Sequence, residues 1–246
     1  MSDRAIKSAR RVFEVLEYFD RERKPLGLKQ IGEALGYPPS SGSALLKSIV
    51  ALGYLDYDQV SRTYFPTMRI AALGSWVHGA LFGEGSIAPL MDHLHAVTGE
   101  TVILAAQSGL HAQYVHVIHD TPLLQLSAAP GARRPLAQSG MGWLLLSAHT
   151  DKEIEALRRR INADAGQQPK LTAADLTERV NAARGRGYVF SRHTVSQGAG
   201  IIAILLPRGP FGRTFAIGIG GPVSRLERKQ PMILRELRDG VARFMG

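Results

Sequence analysis

The sequence predicts an α+β protein: an N-terminal winged helix-turn-helix, a linker helix, and a larger domain in which strands are embraced by helices. Three observations predict it. Through the first fifty residues the apolar positions recur every three or four residues, and after Gly53 the period falls to two. A further apolar stretch, "TMRIAALGSWVHGAL", keeps helical spacing with few charges. Beyond it, strand-like runs such as "ETVILAAQSG", "GIIAILLP" and "RTFAIGIGG" are interleaved with amphipathic helical segments. The domains expected are 1–66, 67–82 for the linker and 83–246.

The first helix spans about 4–22, where Ile6, Ala9, Phe13 and Leu16, with Val12, Val15 and Phe19 beside them, form one stripe. "RERKPLG" breaks it. A short second helix faces Leu28, Ile31 and Leu35 inward and stops at Gly36, a residue suited to a left-handed cap. Pro38 and Pro39 allow a tight corner, Ser40 or Ser41 can cap, and the third helix runs to Leu52 with Leu45, Ile49 and Leu52 on its stripe. "YLDYD" and "TYFP" read as antiparallel strands around a polar turn bearing Arg62. Ile70, Leu73, Val77 and Leu81, with Trp76 alongside, then make a linker helix whose apolar face either fills a core or pairs with a second subunit.

"GEGS" at 83–86 loosens the chain. A helix over 87–98 ends at Gly99, a hairpin follows about "GLH", and "LLQLSA" reads as a third strand. Helices are expected at 139–148 and 151–161, and at "TAADLTERVNAARGRG", where Thr172 and Asp175 suit an N-terminus. Three strands and a helix over about 224–244 complete the chain.

Composition narrows the chemistry. No cysteine is present, which excludes disulfides, thiolate catalysis and thiolate-bound zinc. The N-terminus lacks a signal-peptide pattern and no apolar run reaches membrane-spanning length, so a cytoplasmic protein without a membrane partner is expected. A formal charge of +9 favours an anionic partner, but the excess is spread along the chain: 11 Lys and Arg against 8 Asp and Glu through residue 70, and 19 against 13 after it. The case for double-stranded DNA therefore rests on organisation. No nucleophile motif, phosphate loop or dinucleotide fingerprint occurs, so neither an enzyme nor a cofactor is expected. His93 and His95 point to different faces of a helix, and His116 and His119 diverge in a strand, so neither pair, nor His111, makes an expected metal site.

In a winged helix-turn-helix the third helix enters the major groove by its N-terminal residues. There the free N–H groups and dipole attract phosphate, and the small hydroxyls of Ser40, Ser41 and Ser43 permit close approach. The same run also reads as a simple capped turn.

The order of "SARRVFEVLEYF", "LKQIGEALGYPPSSGSALLKSIVALGYL", "TGETVILA", "PGARRPLAQSGMGWLLLS", "RGRGYVF" and "GGPVSRL" resembles the IclR family of bacterial transcriptional regulators over nearly the whole chain. The resemblance implies a winged-helix DNA-binding domain, a linker helix mediating dimers, and a GAF-like (profilin-like) domain that binds a small effector. It also implies homodimers, or tetramers made of two dimers. Ala44 stands where the family usually has Arg, and Ser41 where it has Thr. The DNA contacts expected are thus Ser40, Ser41, Ser43 and Lys47, assisted by Lys29, Arg10, Arg11 and Arg62. Family members that bind small oxo-acids use backbone amides in the loop matching Ser139, Gly140 and Met141, with an Asp, a Cys and two Ser at the positions of Ser191, Ile201, Gly218 and Gly220. These replacements add volume and remove hydrogen-bonding capacity, so the effector expected is an aromatic or otherwise larger, more apolar acid. Arg133 or Arg134 can neutralise its carboxylate, or can belong to a solvated basic turn. The alternative expectation is a ligand sensor whose winged helix contacts protein instead of DNA.

Overall fold

The computed structural model describes residues 6–82, 87–119, 128–164, 170–208 and 212–245. The chain divides into two compact units, Met1–His78 and Gly79–Gly246. The expected strand over 123–128, all but Ala128, and the "GEGS" stretch lie outside the described residues.

In the first unit, α1 (Lys7–Glu22), α2 (Leu28–Leu35) and α3 (Pro39–Ala51) enclose Val15, Phe19, Ile31, Leu46 and Ile49. Helix α1 ends at Arg23, left-handed at φ 49°, and α2 at Gly36, left-handed at φ 66°. The first turn of α1 does not reach this core. Ile6, Ala9 and Phe13, expected on its buried stripe, are exposed, and Val15 and Phe19 carry the packing with Val12 and Leu16 beside them.

The start of α3 also departs from expectation. Pro38 is the N-cap and Pro39 the first helical residue, so neither Ser40 nor Ser41 caps; the Ser41 hydroxyl instead donates to the Pro38 carbonyl at 3.1 Å. A proline at this position gives up no needed N–H and has its φ preset. The buried stripe of α3 is Gly42, Leu46 and Ile49, while Leu52 is 60% exposed. Gly42 lies on that face against α2, where a Cβ would meet Leu28 at 3.6 Å, an ordinary packing distance. The wing pairs β2 (Leu55–Asp58) with β3 (Thr63–Pro66), and an unexpected two-residue strand, β1 (Leu26–Gly27), joins the other edge of β3. Two residues are too few to show alternation in a sequence. Helix α4 (Met68–Phe82) follows directly, with Met68, Leu73 and Trp76 exposed.

The second unit is a six-stranded antiparallel sheet of β4 (Thr101–Ser108), β5 (His111–Ile118), β6 (Arg133–Pro135), β7 (Val189–Arg192), β8 (Ala199–Leu205) and β9 (Phe215–Pro222), ordered β6-β5-β4-β9-β8-β7. Alternate residues of the central strands serve two cores. Val102, Leu104, Ile202, Ile204, Ile217 and Ile219 face α5 (Ile87–Thr98) and α9 (Val223–Met245). Ile103, Ala105, Ala203 and Ala216 face α6 (Gly140–Ser147), α7 (Asp151–Asp164) and α8 (Ala173–Arg186). Thr172 caps α8 as its position suggests, accepting from the Asp175 N–H at 3.1 Å. Arg133 and Arg134 are not a loose turn: they form edge strand β6, with Arg133 opposite Gln113.

One buried charge is conspicuous. Glu100, fully buried, accepts hydrogen bonds from Arg225 at 2.7 Å and Lys229 at 2.9 Å, and so joins the start of β4 to α9. Gly221 must lack a side chain there, since a Cβ would stand 2.6 Å from the Glu100 carboxylate.

Candidate nucleic-acid interface and effector cavity

The outward face of α3 carries Ser40, Ala44 and Lys47, all exposed, opposite the buried Gly42, Leu46 and Ile49. Ser41 and Ser43 are half-buried at its edges. Lys47 makes no hydrogen bond or ion pair among the described residues, which leaves its ammonium available to an anion. Arg62 stands at the wing tip with φ 54°, in a turn tied by Asp58, whose carboxylate accepts from the Val60 N–H at 2.9 Å and the Ser61 hydroxyl at 2.7 Å. The Ser61 hydroxyl and then the Val60 N–H hold the Asp58 carboxyl below the usual range. Lys29 lies 3.8 Å from Glu33 on the exposed side of α2.

Arg10 and Arg11 have other partners. The Arg10 guanidinium is 3.5 Å from Glu14, and that of Arg11 lies over the Tyr37 ring, 4.8 Å from its centroid. Arg69, which the sequence does not single out, donates to the Leu52 carbonyl at the end of α3 at 3.0 Å and stacks on Tyr54. A cation there complements the helix dipole. Its only sequence signal is a lone Arg at the start of the linker.

In the second unit, α6 begins by wedging between strand and turn. Its N-cap Ser139, 2% exposed, accepts from the Gly142 N–H at 3.2 Å and donates to the Pro135 carbonyl at 2.9 Å. A Cβ on Gly140 would fall 2.4 Å from the Ser191 Cβ, and one on Gly142 only 1.9 Å from the Leu136 oxygen. Close approach therefore demands the glycines of "SGMG".

Beside this wedge is a cavity of about 60 Å³, walled by Thr101, Ile103, Tyr114, Ser191, Thr194 and Ile201, with Gly220 at its margin. Three of the expected effector residues, Ser191, Ile201 and Gly220, line it. Ser139, Gly140 and Met141 do not: Met141 is in the core, and Gly140 backs onto Ser191. Gly218 is covered, since a Cβ there would meet Ala203 at 2.8 Å and Ile201 at 3.0 Å, so the space gained at 218 is already filled. Sequence reasoning did not find Thr101, Tyr114 and Thr194, because each lines the cavity only through tertiary folding. Ser191 and Thr194 share a hydrogen bond of 2.5 Å. Burial pushes the Tyr114 phenol up, while the neighbouring Arg134 pulls it the other way. The Arg134 guanidinium lies 5.5 Å from the Tyr114 ring centroid, which puts a cation behind an apolar, hydroxyl-bearing cavity.

The histidines are dispersed: His93 lies 3.7 Å from Glu236, the His95 ring bonds the Glu100 carbonyl at 3.0 Å, and His111 bonds Arg133 at 3.0 Å. Among the described residues no group of three potential metal ligands converges.

Two family models match the chain, an IclR helix-turn-helix domain over residues 8–59 and the bacterial transcriptional regulator IclR C-terminal domain over residues 85–243. The chain belongs to the IclR family. Like its family, it is a DNA-binding transcriptional regulator with a C-terminal effector domain, and it is not an enzyme. It is 26% identical over 239 residues to the transcriptional repressor IclR of Escherichia coli, covering 90% of this chain and 82% of that one. The effector domain of a transcriptional regulator IclR from Acinetobacter is 30% identical, with a TM-score of 0.60 over 68% of this chain and 97% of that one. An IclR homolog from Microbacterium hydrocarbonoxydans, solved with 4-hydroxybenzoate, shares the fold at 21% identity, with a TM-score of 0.66 over 96% of this chain and 97% of that one. Among the described residues no helix is long and apolar enough to cross a membrane.

Proposed function

We propose that this regulator reads its operator with the Ser40, Ser43 and Lys47 face of α3, aided by Ser41, Lys29 and the wing residue Arg62, and that an aromatic or similarly apolar acid in the second unit controls it. The observation that carries the first part is the exposed face of α3, where the leading N–H groups and the Ser40 hydroxyl stand at the helix start and an unpartnered Lys47 follows two turns further along. Helix dipole, N–H donors and ammonium all favour phosphate. Two protomers place two such helices about one DNA turn apart, so the operator is a palindrome or near it. The exposed Met68, Leu73 and Trp76 of α4 supply the apolar face for that pairing, in a dimer or in a dimer of dimers.

For the effector, the supporting observation is the pairing of apolar walls, Ile103 and Ile201, with the Tyr114 phenol in front of Arg134. The homolog bound to 4-hydroxybenzoate has the same fold and a ligand of this class. A ligand of this class favours whichever conformation of the second unit accommodates its ring. That preference links occupancy to conformation, and a ligand shifts DNA affinity only as far as it prefers one state. Two measurements test the reading. In a thermal-shift series, 4-hydroxybenzoate and benzoate raise the melting temperature more than glyoxylate and pyruvate; stabilisation by the two small acids alone refutes the effector class. In gel shifts with the protein's own upstream region, affinity falls steeply with salt, and Lys47→Ala makes the slope shallower by about 0.9, the increment for one neutralised phosphate. An affinity indifferent to salt means that the winged helix binds protein.

A further inference from the structure

Tyr37 occupies the corner between α2 and α3 and touches α1, α2 and α3 alike. Its N–H donates to the Gly32 carbonyl of α2 at 2.9 Å. Its Cβ packs against Gly42 of α3, where an added Cβ would stand in van der Waals contact at 3.7 Å. Its ring is buried, and its hydroxyl reaches across to α1, donating to Glu14 Oε2 at 2.5 Å. The Arg11 guanidinium covers the ring, and Arg10, 3.5 Å from Glu14, faces the other carboxylate oxygen. Between this corner and the tip of α3 stand only Pro38 and Pro39, whose rings fix their φ angles. A stiff two-residue link passes any displacement of Tyr37 to Ser40 and the leading N–H groups.

We infer that Glu14, Tyr37 and Arg11 form a positioning device that sets the angle at which α3 meets DNA, and that the α1 arginines act through Tyr37 and Glu14 without touching the duplex. The inference rests on the reading of α3 as the DNA-contacting helix. It reassigns Arg10 and Arg11, expected from sequence as direct contacts, because their guanidinium groups are engaged within the subunit. Burial and the neighbouring carboxylate push the Tyr37 phenol up, so it remains a donor throughout the physiological range. A hydroxyl bonded to a charged acceptor is a strong, directional tie.

The test uses the full chain and two duplexes of equal length, one carrying the protein's own upstream region and one unrelated. Tyr37→Phe keeps the ring and deletes the hydroxyl; Glu14→Ala deletes the acceptor; Glu14→Gln retains an acceptor oxygen. Lys47→Ala is the control for direct DNA contact. Each variant is first checked by circular dichroism for an intact fold at the assay temperature. Tyr37→Phe and Glu14→Ala are expected to weaken operator binding about tenfold, the scale of one missing hydrogen bond to a charged group, with unrelated DNA changed less than about twofold and the salt slope unaltered. Glu14→Gln recovers most of the affinity, which a simple loss of negative charge near DNA does not permit. Unchanged operator affinity in Tyr37→Phe overturns the inference, as does an equal loss on both duplexes, since that reports fewer folded molecules. If Lys47→Ala weakens binding while Tyr37→Phe does not, only this inference fails. If neither does, the reading of α3 fails and takes the inference with it.

Discussion

Replacing Glu100 by Gln keeps shape and volume and removes one charge from the second unit. The carboxylate is fully buried and holds Arg225 at 2.7 Å and Lys229 at 2.9 Å, while Lys229 also donates to the Thr98 carbonyl at 2.8 Å. A hydrogen bond to a charged group contributes about 1.5–3 kcal/mol, and removing one member of a buried pair costs about 3–5 kcal/mol. The partner side chains are 35% and 34% exposed, so water recovers part of what they lose. The expected cost is therefore near the lower limit, about 3 kcal/mol. For a unit of this size that is a fall in Tm of roughly 6–12 °C. Urea unfolding followed by far-ultraviolet circular dichroism measures it directly. Because Thr101 and Gly221 flank both this cluster and the cavity, the variant also gains less stability from a bound effector. A loss below about 1 kcal/mol is what an exposed pair gives, and would refute the account of Glu100 as the tie between β4 and α9.

Two further outcomes follow from local geometry. Gly142→Ala places a Cβ 1.9 Å from a backbone oxygen that no rotamer can clear, so α6 must shift and stability falls by about 3 kcal/mol or more; Gly185→Ala, with nothing within 4 Å in helix α8, instead gains about 0.5–1 kcal/mol, and paired denaturation curves compare them. His111 is held below its ordinary 6.5 by burial and then by Arg133, and His119 by burial, so the unfolded chain binds protons more readily. The stability they contribute is complete above pH 6.5 and is lost as pH falls through their lower folded values. A His111→Asn, His119→Asn variant should show a flatter stability profile between about pH 7 and 5; an unchanged profile refutes this assignment.

Helix α2 and its stop at Gly36, the wing around Arg62 and the cap at Thr172 were legible in the sequence because each depends on neighbours within a few positions. The strands β4, β8 and β9 were legible too, as short apolar runs, but their division between two cores was not, since residues facing both cores are apolar. Strands β1 and β6 were not, for they have two and three residues and exist through pairing with a distant partner. The faces of α1 and α3 were misjudged for a related reason. Periodicity shows that an apolar stripe exists, whereas the reach of the core decides which part of it is covered.

The sequence by itself therefore determined the family, the order of the main elements and the presence of a serine-rich helix start after two prolines. Tertiary structure alone decided what the long side chains do. Arg11 looks like a free cation in a sequence, and only the fold brings Tyr37 to it, whereas Arg10 and Glu14 are already neighbours four residues apart on one helix; Thr101, Tyr114 and Thr194 become one wall only when three separate segments converge. Local propensity acts over a few residues, but a partner for a charge or a wall for a cavity is recruited from anywhere along the chain.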